Sequence, residues 1–242
     1  MYQPRTYRHW ITSKDLVAFN VTVKETDLYI RANKNLRSKA LKLALKYREL
    51  IERYIERHPA FLSSLEPLPV TSDAPLIVTA MLEATSKVGV GPMASVAGAI
   101  AEFVGTDLVA FSPEVIIENG GDIYLKSLSQ RVVGIYAGKS PLTGKVGLKI
   151  NGEETPLGVC TSSGTVGHSL SFGRADAVVV LSPSATLADA AATAIGNIIK
   201  QPDDILRGIE FAQGIAGLKG LVIIKDEKMG IWGEINICPI SA

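Results

Sequence analysis

Three short segments of this chain carry side chains and spacings suited to chemistry. The first, Glu118-Asn119-Gly120-Gly121-Asp122-Ile123, sets two glycines between a carboxamide and a carboxylate, with apolar runs on either side. Gly120 and Gly121 would let a ligand approach backbone polar groups, and Asp122 is a candidate catalytic carboxylate. The same Asn-Gly pattern is also a preferred two-residue hairpin turn. The second segment, Thr161-Ser162-Ser163-Gly164-Thr165-Val166-Gly167-His168-Ser169, packs hydroxyls, two glycines and an imidazole into nine residues. Hydroxyls and free backbone N–H groups bind phosphate or the edge of a heterocycle, so this is either a ligand loop or a solvated one. The third is Ala188-Asp189-Ala190-Ala191-Ala192-Thr193. Asp189 and Thr193 are four apart, hence one turn apart on one helix face, and a carboxylate with a hydroxyl suits Mg²⁺. A competing reading makes Thr186 and Asp189 the two members of a helix capping box.

Two other glycine patterns fail. Gly138-Lys139-Ser140-Pro141-Leu142-Thr143-Gly144-Lys145 has its glycines one residue too far apart for a P-loop, and Val146 follows where Ser or Thr is needed. A hairpin loop is expected there. Gly89-Val90-Gly91 follows a predicted helix instead of a strand, which excludes a dinucleotide fingerprint. His9, His58 and His168 have no metal-ligand spacing.

The elements that must position these segments can be read from periodicity. Leu16 to Ala32 alternates as a hairpin turning at Lys24–Asp27, and Leu36 to Arg57 carries an apolar stripe that stops before Pro59. Asp73 is expected to cap a helix over 74–86, and Pro92 to start a small-residue helix reaching about Val104. Strands are predicted over 115–118, 122–126, 132–137, 146–150, 158–160 and 177–181. Helices follow at about 187–200 and 205–215, and two strands, 220–225 and 231–238, turn around Glu227–Gly230. Strands and helices cluster instead of alternating, which predicts an α+β fold.

The 242 residues are 47% hydrophobic and 20% charged, which is globular composition. Lys and Arg number 25 against 24 acids, so no electrostatic footprint for nucleic acid is present. Cys160 and Cys238 cannot build a disulfide framework or a zinc site. The segment Met1 to Asn20 lacks the apolar region of a signal peptide, and no run of about 18 uncharged apolar residues exists, so a cytoplasmic protein without a membrane span is expected.

The order of the segments adds what none carries singly. Asn119-Gly-Gly-Asp122, then Thr161-Ser-Ser-Gly164 with His168, then Ala188-Asp189-x-x-x-Thr193 resembles the ApbE-type flavin transferase superfamily from about Ala74 onward. Val90-Gly-Pro-Met-Ala94, Glu118-Asn-Gly-Gly-Asp122 and Thr161–Gly173 are similar to a narrower, uncharacterised ApbE-like subfamily. The resemblance implies an ApbE-like, tunnelling-type α+β fold of antiparallel strands with packed helices. It implies one domain over 1–242, in which 1–66 is the hairpin plus long helix and 67–242 holds the nucleotide site. It further implies FAD or a related flavin or pterin as ligand, with Mg²⁺ on Asp189 and Thr193. Gly120, Gly121, Thr161, Ser162, Ser163, Gly164 and His168 would line the nucleotide, and His168 and Asp122 would serve catalysis. The small-molecule nucleotide is the expected partner, and a homodimer is compatible with the pattern. In the family's reaction a protein Thr attacks the pyrophosphate, FMN is transferred and AMP leaves.

The chain departs from the family after His168. Ser169-Leu170-Ser171-Phe172-Gly173 stands where the family has Asp-Pro-x-Thr-Gly, so Ser171 occupies the approximate place of the acid, and the nearest acid is Asp176. A serine hydroxyl is a poor general base near neutral pH. The expected function is Mg-dependent phosphoryl (FMN) transfer or hydrolysis on a flavin- or pterin-like nucleotide. A non-catalytic flavin- or pterin-binding role is the alternative.

Overall fold

A computed structural model describes residues 8, 10, 11, 13, 15–166 and 171–240. In chain order the elements are β1 (Val17–Val23), β2 (Thr26–Ala32), α1 (Arg37–Arg57), α2 (Ala60–Ser63), α3 (Leu76–Val88), α4 (Val96–Val109), β3 (Val115–Asn119) and β4 (Asp122–Lys126). There follow β5 (Arg131–Gly134), β6 (Val146–Ile150), β7 (Leu157–Ser162), β8 (Ala177–Ser182), α5 (Ala185–Ile198), α6 (Ile205–Gln213), β9 (Gly220–Lys225), β10 (Lys228–Gly233) and β11 (Ile237–Pro239).

Eight strands form one antiparallel sheet in the order β1-β2-β3-β4-β7-β8-β9-β10, and β11-β6-β5 form a second. The central strands are apolar on both faces because each face has its own core. Val115, Ile117, Tyr124, Cys160, Val178, Val180, Leu221 and Ile223 meet the helices. Ile116, Ile123, Leu125, Val159, Val179, Val222 and Ile224 meet the smaller sheet. The period-2 alternation of a strand makes this division, and burying both faces removes the polar positions that usually mark one of them.

The helices obey their stripes with some changes of boundary. On α1, Ala40, Ala44, Tyr47, Ile51 and Tyr54 are buried, which is the predicted face. Asp73 does not cap α3: Pro75 holds the cap position and the helix starts at Leu76. The Asp73 carboxylate instead receives Thr71 Oγ1 and pairs with Arg57 and His58, and these contacts pull its pKa down to about 2. The 18-residue stretch Pro92–Val109 is apolar enough to cross a membrane by length and composition (mean hydropathy 1.2), but half of it is buried here, and α4 packs on β3, β4 and α5. The final hairpin turns at Asp226–Glu227, not around 227–230, since Lys225 pairs with Lys228 and Asp226 takes a φ of 56°. Gly138–Lys145 lies in the connection between antiparallel β5 and β6, as the failed P-loop spacing predicts.

Candidate functional site

The antiparallel register gathers the three segments at one end of the large sheet. Asn119 pairs with Asp122, leaving Gly120 and Gly121 as a two-residue turn with φ of 70° and 110°. Positive φ at both positions is the hairpin geometry that selects glycine. Because Ile123 faces Val159 across β4–β7 and Ser162 faces Val178 across β7–β8, the end of β7 and the start of β8 share the rim with this turn. The β9–β10 turn completes it, as Ala177 faces Ile224.

Asp122 and Asp189 are the two buried carboxyl groups beside the rim. Asp122 lies on the helix side of β4, 7% exposed, and its Oδ1 accepts the Thr161 N–H at 3.2 Å. Asp189, on α5, is 8% exposed, and its Oδ2 accepts the Gly98 N–H at 2.8 Å. Burial, followed by the charge of Asp189, pushes the Asp122 carboxyl well above the usual carboxylate range. Burial raises Asp189 to about 7, against backbone N–H groups of Gly98 and Ala97 that favour its ionised form. The buried Cys160 thiol donates to the Ala185 carbonyl at 3.3 Å and is pushed up by burial and by both carboxylates. The charge of Asp189 acts on Asp122 in a desolvated place, and a divalent cation would relieve repulsion of that kind.

Packing without side chains brings α5 this close to its neighbours. A Cβ on Gly98 would overlap the Ala185 carbonyl oxygen and stand 2.7 Å from Asp189 Cβ, so α4 meets α5 backbone to backbone. A Cβ on Gly158 of β7 would likewise overlap Ala185. The capping-box reading of Asp189 is overturned by the observed start of α5. Ser184 is the N-cap and accepts the Leu187 N–H at 3.2 Å, while Thr186 gives its N–H and hydroxyl to Glu102 Oε2 of α4 at 2.8 and 2.7 Å. Asp189 therefore lies beyond the first turn and faces α4. Thr193 follows one turn later and is half-buried.

The remaining predicted residues divide by geometry. Ser162 turns toward α5, its Oγ 3.3 Å from where a Gly196 Cβ would stand, whereas strand alternation sends the Thr161 side chain to the other face. Thr161 meets Asp122 through its backbone instead. Ser163 accepts the N–H groups of Thr165 and Val166, each at 3.1 Å, and Gly164 donates to the Ala175 carbonyl at 2.9 Å. The Gly121 N–H is taken by Glu118 Oε1 at 2.9 Å, and Glu118 Oε2 meets Arg8 Nε at 2.6 Å. That N–H therefore serves the turn. His168 lies outside the described residues. Among the described residues no three His, Cys, Asp or Glu side chains form a group able to hold a metal by themselves.

Sequence reasoning gave no role to Glu118, Glu102 or Gly98. Only Gly98 carried a signal, as one of the small residues of the Met93–Ala101 run; Glu102 reaches the start of α5 and Glu118 reaches Arg8 across long sequence separations that no local pattern encodes.

The fold is shared with known proteins. The flavinyl transferase ApbE of Pseudomonas stutzeri, in its apo form, aligns over 90% of this chain and 94% of its own, with a TM-score of 0.59 at 13% identity. The flavin transferase ApbE of Vibrio cholerae aligns over 90% and 96%, with a TM-score of 0.56 at 14% identity. At these identities the likeness is one of fold. A UPF0280 protein of Methanococcus aeolicus is 45% identical over 222 residues, covering 89% of this chain and 87% of that protein. A UPF0280 protein of Methanopyrus kandleri is 41% identical over 226 residues, covering 90% and 91%. A family model described as AbpE bacteria matches residues 8–212. The chain has the ApbE-type α+β fold and belongs to this AbpE family.

Proposed function

We propose that the rim binds a flavin dinucleotide or a related flavin- or pterin-like nucleotide together with Mg²⁺, and that the protein acts on the nucleotide's phosphoryl group by FMN transfer or hydrolysis. The observation that carries this reading is the Asp122–Asp189 pair. Both are buried, both are pushed toward the protonated form, and each accepts a backbone N–H. A hard divalent cation fits that donor set, and Mg²⁺ usually keeps several waters and adds substrate phosphate oxygens, so it does not need three protein ligands. Asp189 and Thr193 would hold it. When bound, it would supply charge stabilisation at the phosphoryl oxygens.

The chain's own residues supply the rest. Gly120 and Gly121 keep the turn free of side chains, so the backbone of β3–β4 can lie close to a phosphate. Ser162, Ser163 and Gly164 bound the other side, with hydroxyls and backbone in reach of polar edges. Asp122, its carboxyl pushed well above the usual carboxylate range by burial and by Asp189, would hold a proton that it can give up at the reacting group. The ApbE neighbours are flavin transferases by their own descriptions, and that agreement supports a flavin over other nucleotides.

A second reading, binding without transfer, has its own support. Ser171, in the approximate place of the family's acid, accepts the Gly173 N–H at 3.2 Å and serves a local turn.

Titration with FAD, FMN and a reduced pterin, with and without Mg²⁺, tests the reading. At least one ligand should bind more tightly than about 100 µM, or roughly −5.5 kcal/mol. Thr193→Val should fold normally and weaken Mg²⁺-assisted binding at least about tenfold, or ~1.4 kcal/mol. Absence of binding by all three ligands sinks the proposal.

A further inference from the structure

Helix α5 is shut in except along one line. Only Thr193, Asn197 and Ile198 of its residues are half-buried, and the rest are buried. Asp189, Thr193 and Asn197 follow at four-residue spacing, so they lie turn above turn on one face, over about 12 Å of helix. The opening therefore runs from Asp189 toward the C-terminal end of α5.

Phe172 is brought to the far end of that line. Its N–H donates to Asn197 Oδ1 at 2.9 Å, and the Arg174 N–H donates to the Ile199 carbonyl at 2.7 Å. Between them Gly173 packs backbone to backbone on the helix, since a Cβ there would stand 1.7 Å from the Gly196 carbonyl oxygen. A Cβ on Gly164 would in turn stand 2.3 Å from the Gly173 carbonyl oxygen. The Ser162–Gly164 segment, the open face of α5 and Phe172 thus adjoin one another.

An exposed apolar side chain is by itself ordinary. Phe172 differs because its backbone is pinned on both sides while the residue stays 53% exposed. A fixed, uncovered aromatic ring beside a line of polar groups is a surface on which a planar heterocycle stacks.

We propose that Phe172 is the stacking platform for the planar ring of a flavin whose phosphate end lies at Asp189 and Thr193; the inference rests on the nucleotide reading above. The ring is then held by its face and the phosphate by its charge, at opposite ends of one helix face. A phosphate compound without a ring makes only half of these contacts, so Phe172 sets the preference for a nucleotide with a planar heterocycle.

Fluorescence titration with FMN and calorimetric titration with inorganic pyrophosphate, both with Mg²⁺, test this. Phe172→Ala should weaken FMN binding about tenfold, the scale of a lost base–aromatic stack, and leave pyrophosphate binding and Tm as in the parent. Phe172→Trp should keep the FMN affinity and quench the bound flavin's emission more deeply, because an indole in face contact donates an electron to the excited ring. Should Phe172→Ala fail to fold, the quenching in Phe172→Trp decides alone. Three results overturn the stacking role and leave the nucleotide reading standing: unchanged FMN affinity in Phe172→Ala, pyrophosphate binding that falls in step with FMN, or no added quenching in Phe172→Trp. A parent protein that binds FAD or a reduced pterin but not FMN does the same. Binding of none of the three overturns both.

Discussion

Gly98 and Asp189 are joined across two helices: the Gly98 N–H on α4 donates to Asp189 Oδ2 on α5 at 2.8 Å. The same glycine has no room for a Cβ, which would overlap the Ala185 carbonyl oxygen. One residue thus sets both the spacing of the helices and the orientation of the carboxylate. Replacing it should fail on both counts. Gly98→Ala forces backbone apart, and overpacking of this kind costs about 1–3 kcal/mol. Urea denaturation should register that loss, and Mg²⁺-assisted nucleotide binding should weaken with it.

The pH dependence of stability follows from Asp189. Its folded pKa, about 7, lies above the ordinary 3.8, so the folded state holds a proton that the unfolded state has released. Its contribution to stability is fully present below pH 3.8 and is lost as pH rises through 7. Asp122 is shifted the same way and adds to the trend. Thermal denaturation of chelator-treated protein should therefore show Tm falling between pH 5 and pH 8, and added Mg²⁺ should raise Tm more at pH 8 than at pH 5. Asp189→Asn should flatten the pH slope and abolish the Mg²⁺ effect. A Tm that rises over this range would refute the assignment.

Glu102 anchors the start of α5 by accepting from Ser184 Oγ, Thr186 N–H and Thr186 Oγ1. Glu102→Ala leaves these partly buried donors without their acceptor, at about 1–3 kcal/mol. Chemical denaturation should show it, and Glu102→Gln should recover part of the loss.

The two turn glycines should respond unequally. A side chain at Gly120 meets open space at φ 70°, close to the left-handed region, so Gly120→Ala should cost about 1 kcal/mol. Gly121 sits at φ 110°, farther from any basin open to an L-residue, and Gly121→Ala should cost more. Comparing the two midpoints in urea checks the order.

Much of the architecture was legible because it rests on local rules. The α1 stripe, the Asn119–Asp122 turn and most strand positions follow from periodicity and glycine chemistry. Asp73 looked like a cap by type, yet Arg57, His58 and Thr71 claim its carboxylate, and Pro75 takes the cap position. Thr186 and Asp189 matched a capping box, yet Ser184 begins the helix two residues earlier and Glu102 reaches Thr186 from 84 residues away. The division of strand residues between two cores was invisible for a different reason. When both faces of a strand are apolar, no alternation remains to say which face meets which layer.

The strand order also bears on synthesis. Apart from the β5–β6 excursion, the large sheet runs in chain order, so each strand can pair with its predecessor as it leaves the ribosome. The rim does not mature at the same pace. Asp176 is completed only by the Asp226 N–H, 50 residues later, and by Lys225 beside it. A nascent chain ending before β9 would present β8 as a bare edge and Asp176 without its orienting donor. Asp176, just ahead of β8, is thus among the last parts of the rim to be finished, when most of the sheet around it has already been laid down.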